Sequence, residues 1–184
     1  MATRSARRIT YEDYLDFPEG ERWEVIDGVA YMCASPNRRH QLILGEIYRQ
    51  LANHVKSRGG GVALVAPFDV VLDPGGDIVQ PDIVFVSDAD ADVLTAANAW
   101  GSPSWVVEVL SPSNPSRDRR LKLKRYEHFK VGEYWIVDPA NDQIEIYRLE
   151  DGTYGEPDIV RPPDAPSPTA LPSFALDLAD VFSV

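Results

Sequence analysis

The sequence predicts an α/β (α+β) domain, a mixed central β-sheet flanked by helices with an N-terminal β-hairpin beside it. Three observations carry this. Trp105-Val106-Val107-Glu108-Val109-Leu110 is an apolar run of β type, Asp27-Gly28 separates two further apolar runs, and residues 40–55 carry apolar side chains at helical spacing. With 184 residues, 44% of them hydrophobic, the chain is one domain's worth and has material for a real core. A single domain over residues 1–184 is expected, with its core at about residues 10–150 and a proline-rich tail at 155–184.

Taken in order, Thr10-Tyr11-Glu12-Asp13-Tyr14-Leu15 reads as a short helix, with Thr10 as the N-cap and acids in the first turn. Residues 22–32 read as the hairpin, because Asp-Gly between apolar runs is a strong turn signal. Ser35-Pro36-Asn37 can start the next helix, which presents Leu42, Ile43, Ile47, Leu51 and Val55 and ends at Gly59-Gly60-Gly61. Residues 62–72 and 78–86 are expected as the two strands of one hairpin around Asp73-Pro74-Gly75-Gly76. A short helix is predicted over residues 93–100, then the Glu108 strand, a polar loop at 111–116 and a basic helix. Strands at 133–138 and 143–149 follow around Pro139-Ala140-Asn141-Asp142.

Charge and cysteine content narrow the function. A net charge of −11 and a pI near 4.6 argue against broad, charge-driven nucleic-acid binding. The local exception is the basic helix: Arg117, Arg119, Arg120, Lys122, Lys124, Arg125 and Lys130 are seven of the chain's 18 basic residues. Such a cluster also fits an ordinary solvated helix face. Cys33 is the lone cysteine, so a disulfide framework and a cysteine zinc cluster are excluded, and a reducing compartment fits. Residues 1–8 lead into Ile9-Thr10-Tyr11-Glu12-Asp13 rather than an apolar stretch, unlike a signal peptide, and a cytoplasmic location is expected.

Glu108 is the residue that most needs an explanation. An unpaired carboxylate inside an apolar strand costs several kcal/mol, so a cation, a donor network or a metal must face it. Asp82, in Gln80-Pro81-Asp82-Ile83-Val84-Phe85-Val86, is a second acid at the end of an apolar strand. Two strand-borne acids point to a hard-cation site. At about 100° per residue, Lys122 falls on the packed face of the basic helix with Leu123, Tyr126 and Phe129, while Lys124 falls opposite, beside Arg120. Lys122 is therefore the lysine that can turn back toward Asp82 and Glu108.

These residues resemble a known family. Pro81-Asp82 with Glu108-Val109-Leu110 is similar to the PD-(D/E)XK nuclease signature, with Leu110 where its lysine would stand. Val107-Glu108-Val109-Leu110-Ser111-Pro112-Ser113, then Asp118, Lys122, Tyr126 and Glu133-Tyr134-Trp135-Ile136-Val137-Asp138-Pro139, resembles the Uma-type restriction endonuclease family, formerly a domain of unknown function. The likeness extends upstream through Glu24-Val25-Ile26-Asp27-Gly28 and His40.

The resemblance implies a restriction-endonuclease-like core in which Asp82, Glu108 and Lys122 are catalytic and the lysine has moved from the strand to the following helix. It implies Mg²⁺, or Mn²⁺, held by Asp82, Glu108 and the carbonyl of Val109, with Glu24, His40 and Tyr126 in support. Arg119, Arg120, Lys124 and Arg125 are the expected nucleic-acid contacts. Mg²⁺ takes one or two carboxylates together with substrate phosphate oxygens, so two acids suffice. DNA is the expected substrate, and a homodimer or higher oligomer would let one site per chain cut both strands. Plainer roles stand beside these: a strand-start cap for Asp82, a structural ion pair for Glu108 or Glu24, a snorkelling surface residue for Lys122, a capping or packing group for His40. Ser111 and Ser113 lack the flanking glycines of a nucleophile elbow. The competing functions are a nuclease-fold interaction module without useful catalysis and a hydrolase of small phosphorylated substrates.

Overall fold

The computed structural model describes residues 7–33, 35–111 and 117–184, the side chains of residues 117 and 118 excepted. Loop residues 112–116 and the Asp118 side chain, both parts of the resemblance, lie outside that description. The first elements follow local chemistry. α1 (Tyr11–Leu15) opens on Thr10, whose hydroxyl accepts from the Asp13 N–H while the Asp13 carboxylate accepts the Thr10 N–H. β1 (Trp23–Ile26) and β2 (Val29–Met32) form the expected hairpin, and Asp27 and Gly28 take φ of 53° and 75°, the left-handed pair that a tight two-residue turn requires. α2 (Arg38–Arg58) is capped by the Asn37 side chain, which accepts from the His40 N–H, and buries His40, Ile43, Leu44, Ile47 and Leu51.

The next stretch corrects the expected single hairpin. Residues 62–72 and 78–86 each break, giving β3 (Gly61–Val65), β4 (Val70–Asp73), β5 (Asp77–Val79) and β6 (Ile83–Ser87). β4 pairs with β5 and β3 with β6, all antiparallel, but the two pairs belong to different sheets. Pro67 and Pro81 lie at the breaks, where a residue without an N–H interrupts a ladder at least cost. Asp82 thus stands where the chain passes from one sheet to the other.

The helix expected over residues 93–100 is also absent. A 3₁₀ turn, Asp88–Val93, precedes β7 (Ala99–Trp100), which runs parallel to β4. The Thr95 hydroxyl donates to the Asn98 carbonyl and accepts the Asn98 N–H, giving this backbone a non-helical set of partners.

β8 (Trp105–Val109) is followed by a π-helical segment, Arg117–Lys122, that runs into α3 (Leu123–His128), so the basic helix is wider at its start than a uniform α-helix. β9 (Glu133–Asp138), β10 (Gln143–Glu150), β11 (Thr153–Tyr154), β12 (Asp158–Val160) and α4 (Leu178–Phe182) complete the chain. One sheet has the order β2-β1-β5-β4-β7, and the other β11-β10-β9-β8-β6-β3 with β12 on β10. The architecture is a mixed α/β fold with two mixed sheets and few helices. The N-terminal hairpin is accordingly the edge of a second sheet and not an attachment to a central one.

Strand alternation sorts the core into layers. Trp105, Val107 and Val109 of β8, with Trp135 and Val137 of β9, face α2, α4 and Leu171, Phe174 and Leu176. Val106, Tyr134 and Ile136 face Tyr126 of α3 and Ile26, Val70 and Val79 of the other sheet. The outer face of that second sheet, Val25, Val71 and Ile78, is covered by Ile9, Tyr11, Tyr14 and Phe17. Leu171, Phe174, Leu176, Leu178, Val181 and Phe182 belong to this core; each fully buried large apolar side chain is worth about 1.5–3 kcal/mol, enough to fix a segment with little regular structure. Of the aromatics expected to leave apolar surface, Trp23 is half-buried edge-on to Phe17, and Trp100 stays 46% exposed beside Tyr11. Among the described residues no helix is long and apolar enough to cross a membrane.

Candidate active site

Every residue of β8 is buried, Glu108 included at 4% exposure, so its charge must be met inside the protein. Glu108 Oε1 accepts from Lys122 Nζ at 2.7 Å and from the Tyr126 hydroxyl at 3.0 Å. Lys122 leaves the π-helical segment just before α3 begins, and Tyr126 lies one α-helical turn on, so both reach the face of β8 that carries Glu108. Lys122 Nζ also contacts Glu24 Oε1 of β1 at 2.8 Å, and the lysine is only 3% exposed. The Gln80 N–H donates to the same Glu24 oxygen at 3.0 Å.

Asp82 sits beside this group, anchored to the strand that carries Glu108. Its Oδ2 accepts the Val109 N–H at 2.8 Å and lies 3.1 Å from His40 Nε2. His40 is in the first turn of α2, and its Nδ1 is buried with no hydrogen-bond partner among the described residues. No hydrogen bond reaches Asp82 Oδ1 among the described residues. Glu24, His40, Asp82, Glu108, Val109, Lys122 and Tyr126 therefore meet where the two sheets adjoin. The contact made by Val109 is through its N–H.

The basic residues divide differently from the sequence expectation of four nucleic-acid contacts. Arg119 donates to Asp138 at 2.7 Å and to Glu145 at 2.6 Å, and the hydrogen bond to Glu145 raises its pKa above the ordinary value. Arg125 Nε donates to Asp77 Oδ1 at 2.7 Å, while its guanidinium lies 5.0 Å over the Phe129 ring. Arg120 and Lys124 are exposed and make no ion pair among the described residues.

Asp77 and Gln80 escaped the sequence reading. Asp77 is fully buried, holds Arg125 on one side and the Asp27 N–H on the other, and so ties α3 to the second sheet. The available signal was its place directly before Ile78-Val79. Gln80 also bridges Tyr14 and Asp69 through its side-chain amide. Burial, with Asp69 next to it, raises the Tyr14 pKa well above the ordinary phenol value.

Among the described residues, no group of three or more His, Cys, Asp or Glu is arranged to hold a metal ion. A hard cation that takes only one or two protein carboxylates and completes its shell with water and substrate oxygens needs no such group, and Asp82 and Glu108 are the carboxylates at the end of β8 that could serve one.

Comparison with known proteins gives these positions a family. The "Uncharacterized protein slr1290" of Synechocystis sp. (strain ATCC 27184 / PCC 6803 / Kazusa) is 26% identical over 149 residues, 78% of this chain and 76% of that one. The crystal structure of "a putative nuclease belonging to DUF820" from Anabaena variabilis ATCC 29413 shares the fold with a TM-score of 0.79 at 21% identity, covering 95% of this chain and 98% of that one. The family model described as "Uma2: Putative restriction endonuclease" matches residues 11–179, from α1 into α4 and so through every element of both sheets, and the chain belongs to that family.

Proposed function

We propose that this protein is a Mg²⁺- or Mn²⁺-dependent endonuclease that hydrolyses phosphodiester bonds in DNA, acting in the cytoplasm. The observation that carries the reading is the buried Lys122 ammonium between Glu108 and Glu24, with Asp82 fastened to the residue after Glu108. A purely structural lysine needs one acid. Here two buried acids from different parts of the chain converge on one lysine, and a third, Asp82, is tied to the backbone next to Glu108, an expensive arrangement for stability alone.

The donor set fits a hard cation. Mg²⁺ keeps several waters and uses one or two carboxylates, and Asp82 with Glu108 meets that need, with the Val109 carbonyl as a further ligand. Asp82 Oδ1 is a polar atom not committed to a hydrogen bond among the described residues. Such an ion supplies Lewis-acid polarisation of the phosphate and a lower pKa for water.

The chain's own residues do the rest. Hydrolysis joins a water oxygen to phosphorus, breaks a phosphorus–oxygen ester bond and leaves a proton on the departing oxygen. Lys122 holds its positive charge in place through Glu24 and Glu108, so it can face the negative charge that develops on the phosphate without reorganising. Tyr126 fixes the Glu108 carboxylate and His40 fixes Asp82. Arg120 and Lys124, exposed on the outside of the same segment, contact flanking phosphates.

Two-fold symmetric subunits would bring two such sites to a duplex. A single 20.5 kDa species in sedimentation at micromolar concentration would overturn the dimer and leave nicking as the activity. The direct test of function is conversion of supercoiled plasmid to nicked or linear DNA with Mg²⁺, stopped by EDTA and by Glu108→Gln. Cleavage undiminished in E108Q would refute the site. The second reading, a nuclease-fold module that binds nucleic acid or protein without cutting, draws on the net charge of −11 and on the internal pairing of Arg119 and Arg125. Retained DNA binding without cleavage under any divalent ion favours it.

A further inference from the structure

Beside the candidate active site is a cavity of about 390 Å³ that the proposed reaction does not use. It lies outside the carboxyl ends of β8 and β9, a parallel pair, the position at which open α/β sheets commonly take ligands. Its volume falls within the span of about 300–1,000 Å³ typical of small-molecule sites. Leu110, Pro139 and Ala140 give it apolar surface, and Arg39, Arg119 and Asn141 give it polar groups.

Three of these are close chain neighbours of site residues. Leu110 is two residues beyond Glu108, Arg39 directly precedes His40, and Arg119 comes three residues before Lys122. Both arginines are oriented by acids near the β9–β10 turn, Arg39 by Asp142 at 2.7 Å and Arg119 by Asp138 at 2.7 Å. Asp138 Oδ2 also accepts from the Asn141 amide at 2.9 Å. A guanidinium fixed this way presents a flat face on which a base can stack. Because Asp138 and Glu145 balance Arg119, the cavity suits a neutral ring better than another phosphate.

We propose that this cavity receives the nucleoside, base and sugar together, that adjoins the phosphate addressed by Glu108 and Lys122. The inference rests on the nuclease reading. It assigns Ala140 and Asn141 to substrate binding.

The test is separable from catalysis. Amide shifts are followed while the full-length protein is titrated with dAMP, with dTMP and with inorganic phosphate, and the titration is repeated on Ala140→Trp, whose exposed position at the rim allows a large side chain without disturbing the core. The expected result is that a nucleotide, but not inorganic phosphate, shifts Leu110, Ala140 and Asn141, and that A140W weakens nucleotide binding by about tenfold or more. Plasmid cleavage with Mg²⁺ is followed in parallel on the parent protein, so a failure of the nuclease reading shows in cleavage and a failure of the pocket shows in nucleotide binding. Shifts confined to other residues, shifts by neither nucleotide, or equal affinity in A140W would overturn the assignment.

Discussion

Lys122 Nζ lies 2.7 Å from Glu108 Oε1 and 2.8 Å from Glu24 Oε1, so one ammonium joins a strand of each sheet. Lys122→Ala removes a preorganised positive charge and should lower turnover by about 10²-fold. It should also cost about 3–5 kcal/mol of stability, because two buried acids lose their shared partner. Exposed Lys124 has no such role, and Lys124→Ala should raise KM with turnover nearly unchanged. Steady-state kinetics on a short oligonucleotide, beside urea melts, separates the two; equal losses of turnover would contradict the geometry.

The Asp77–Arg125 pair holds α3, and with it Tyr126, to the second sheet. Asp77→Ala leaves a partly buried guanidinium with only the distant, exposed Asp27 at 3.9 Å among the described acids and should destabilise the fold by about 3–5 kcal/mol. Arg125→Ala strands a fully buried carboxylate and should cost a similar amount. A double variant that melts near either single variant would show that the two residues act as a pair, and simple additivity would show that they do not.

His40 reaches the proposed ion only through Asp82. Groups that orient a ligand in this way typically change metal affinity by about 10–100-fold when removed. Calorimetric titration of Mn²⁺ into His40→Ala should show a loss in that range with the melting temperature little altered. Unchanged affinity would reduce His40 to a packing residue.

Acid sensitivity is expected at Asp138. Burial pushes its pKa up, but hydrogen bonds from Asn141, Arg119 and the Ala140 N–H outweigh this and hold it below the ordinary value. A lowered folded-state pKa contributes stability that is fully present above the unfolded value of 3.8 and is lost as pH falls through the folded value. Asp138→Asn should therefore flatten the stability profile below about pH 4. Urea titrations at stepped pH measure it, and parallel profiles for variant and parent would contradict the assignment.

What was readable in the sequence depended on how local its cause is. Glu108 stood out because its neighbours in β8 are apolar and buried, which makes a lone acid conspicuous. Lys122 and Tyr126 were legible as one face even though the helix was assumed uniform, because the π-helical widening ends at Lys122 and the spacing between the two is ordinary α-helix. The division into two sheets was not legible. Pro67 and Pro81 mark the breaks, but which strand pairs across them depends on contacts far apart in the chain. The same holds for Asp77, whose partner Arg125 is 48 residues away, and for Arg119, whose acids lie 19 and 26 residues on. Read locally, those arginines looked like a surface for phosphate. Phe174, Leu176 and Leu178 alternate with polar or small residues and so are legible as a segment that docks on the core, whereas Leu171, isolated between Ala170 and Pro172, carries no such period.

In the proposed reaction Asp82 and Glu108 hold a divalent ion that Lys122 faces. Anomalous diffraction from a crystal soaked in Mn²⁺ addresses it directly. One peak is expected between the Asp82 and Glu108 carboxylates, with Lys122 directed at the same space, and no peak in Asp82→Asn. A peak elsewhere, or none at a concentration that supports cleavage, would contradict it.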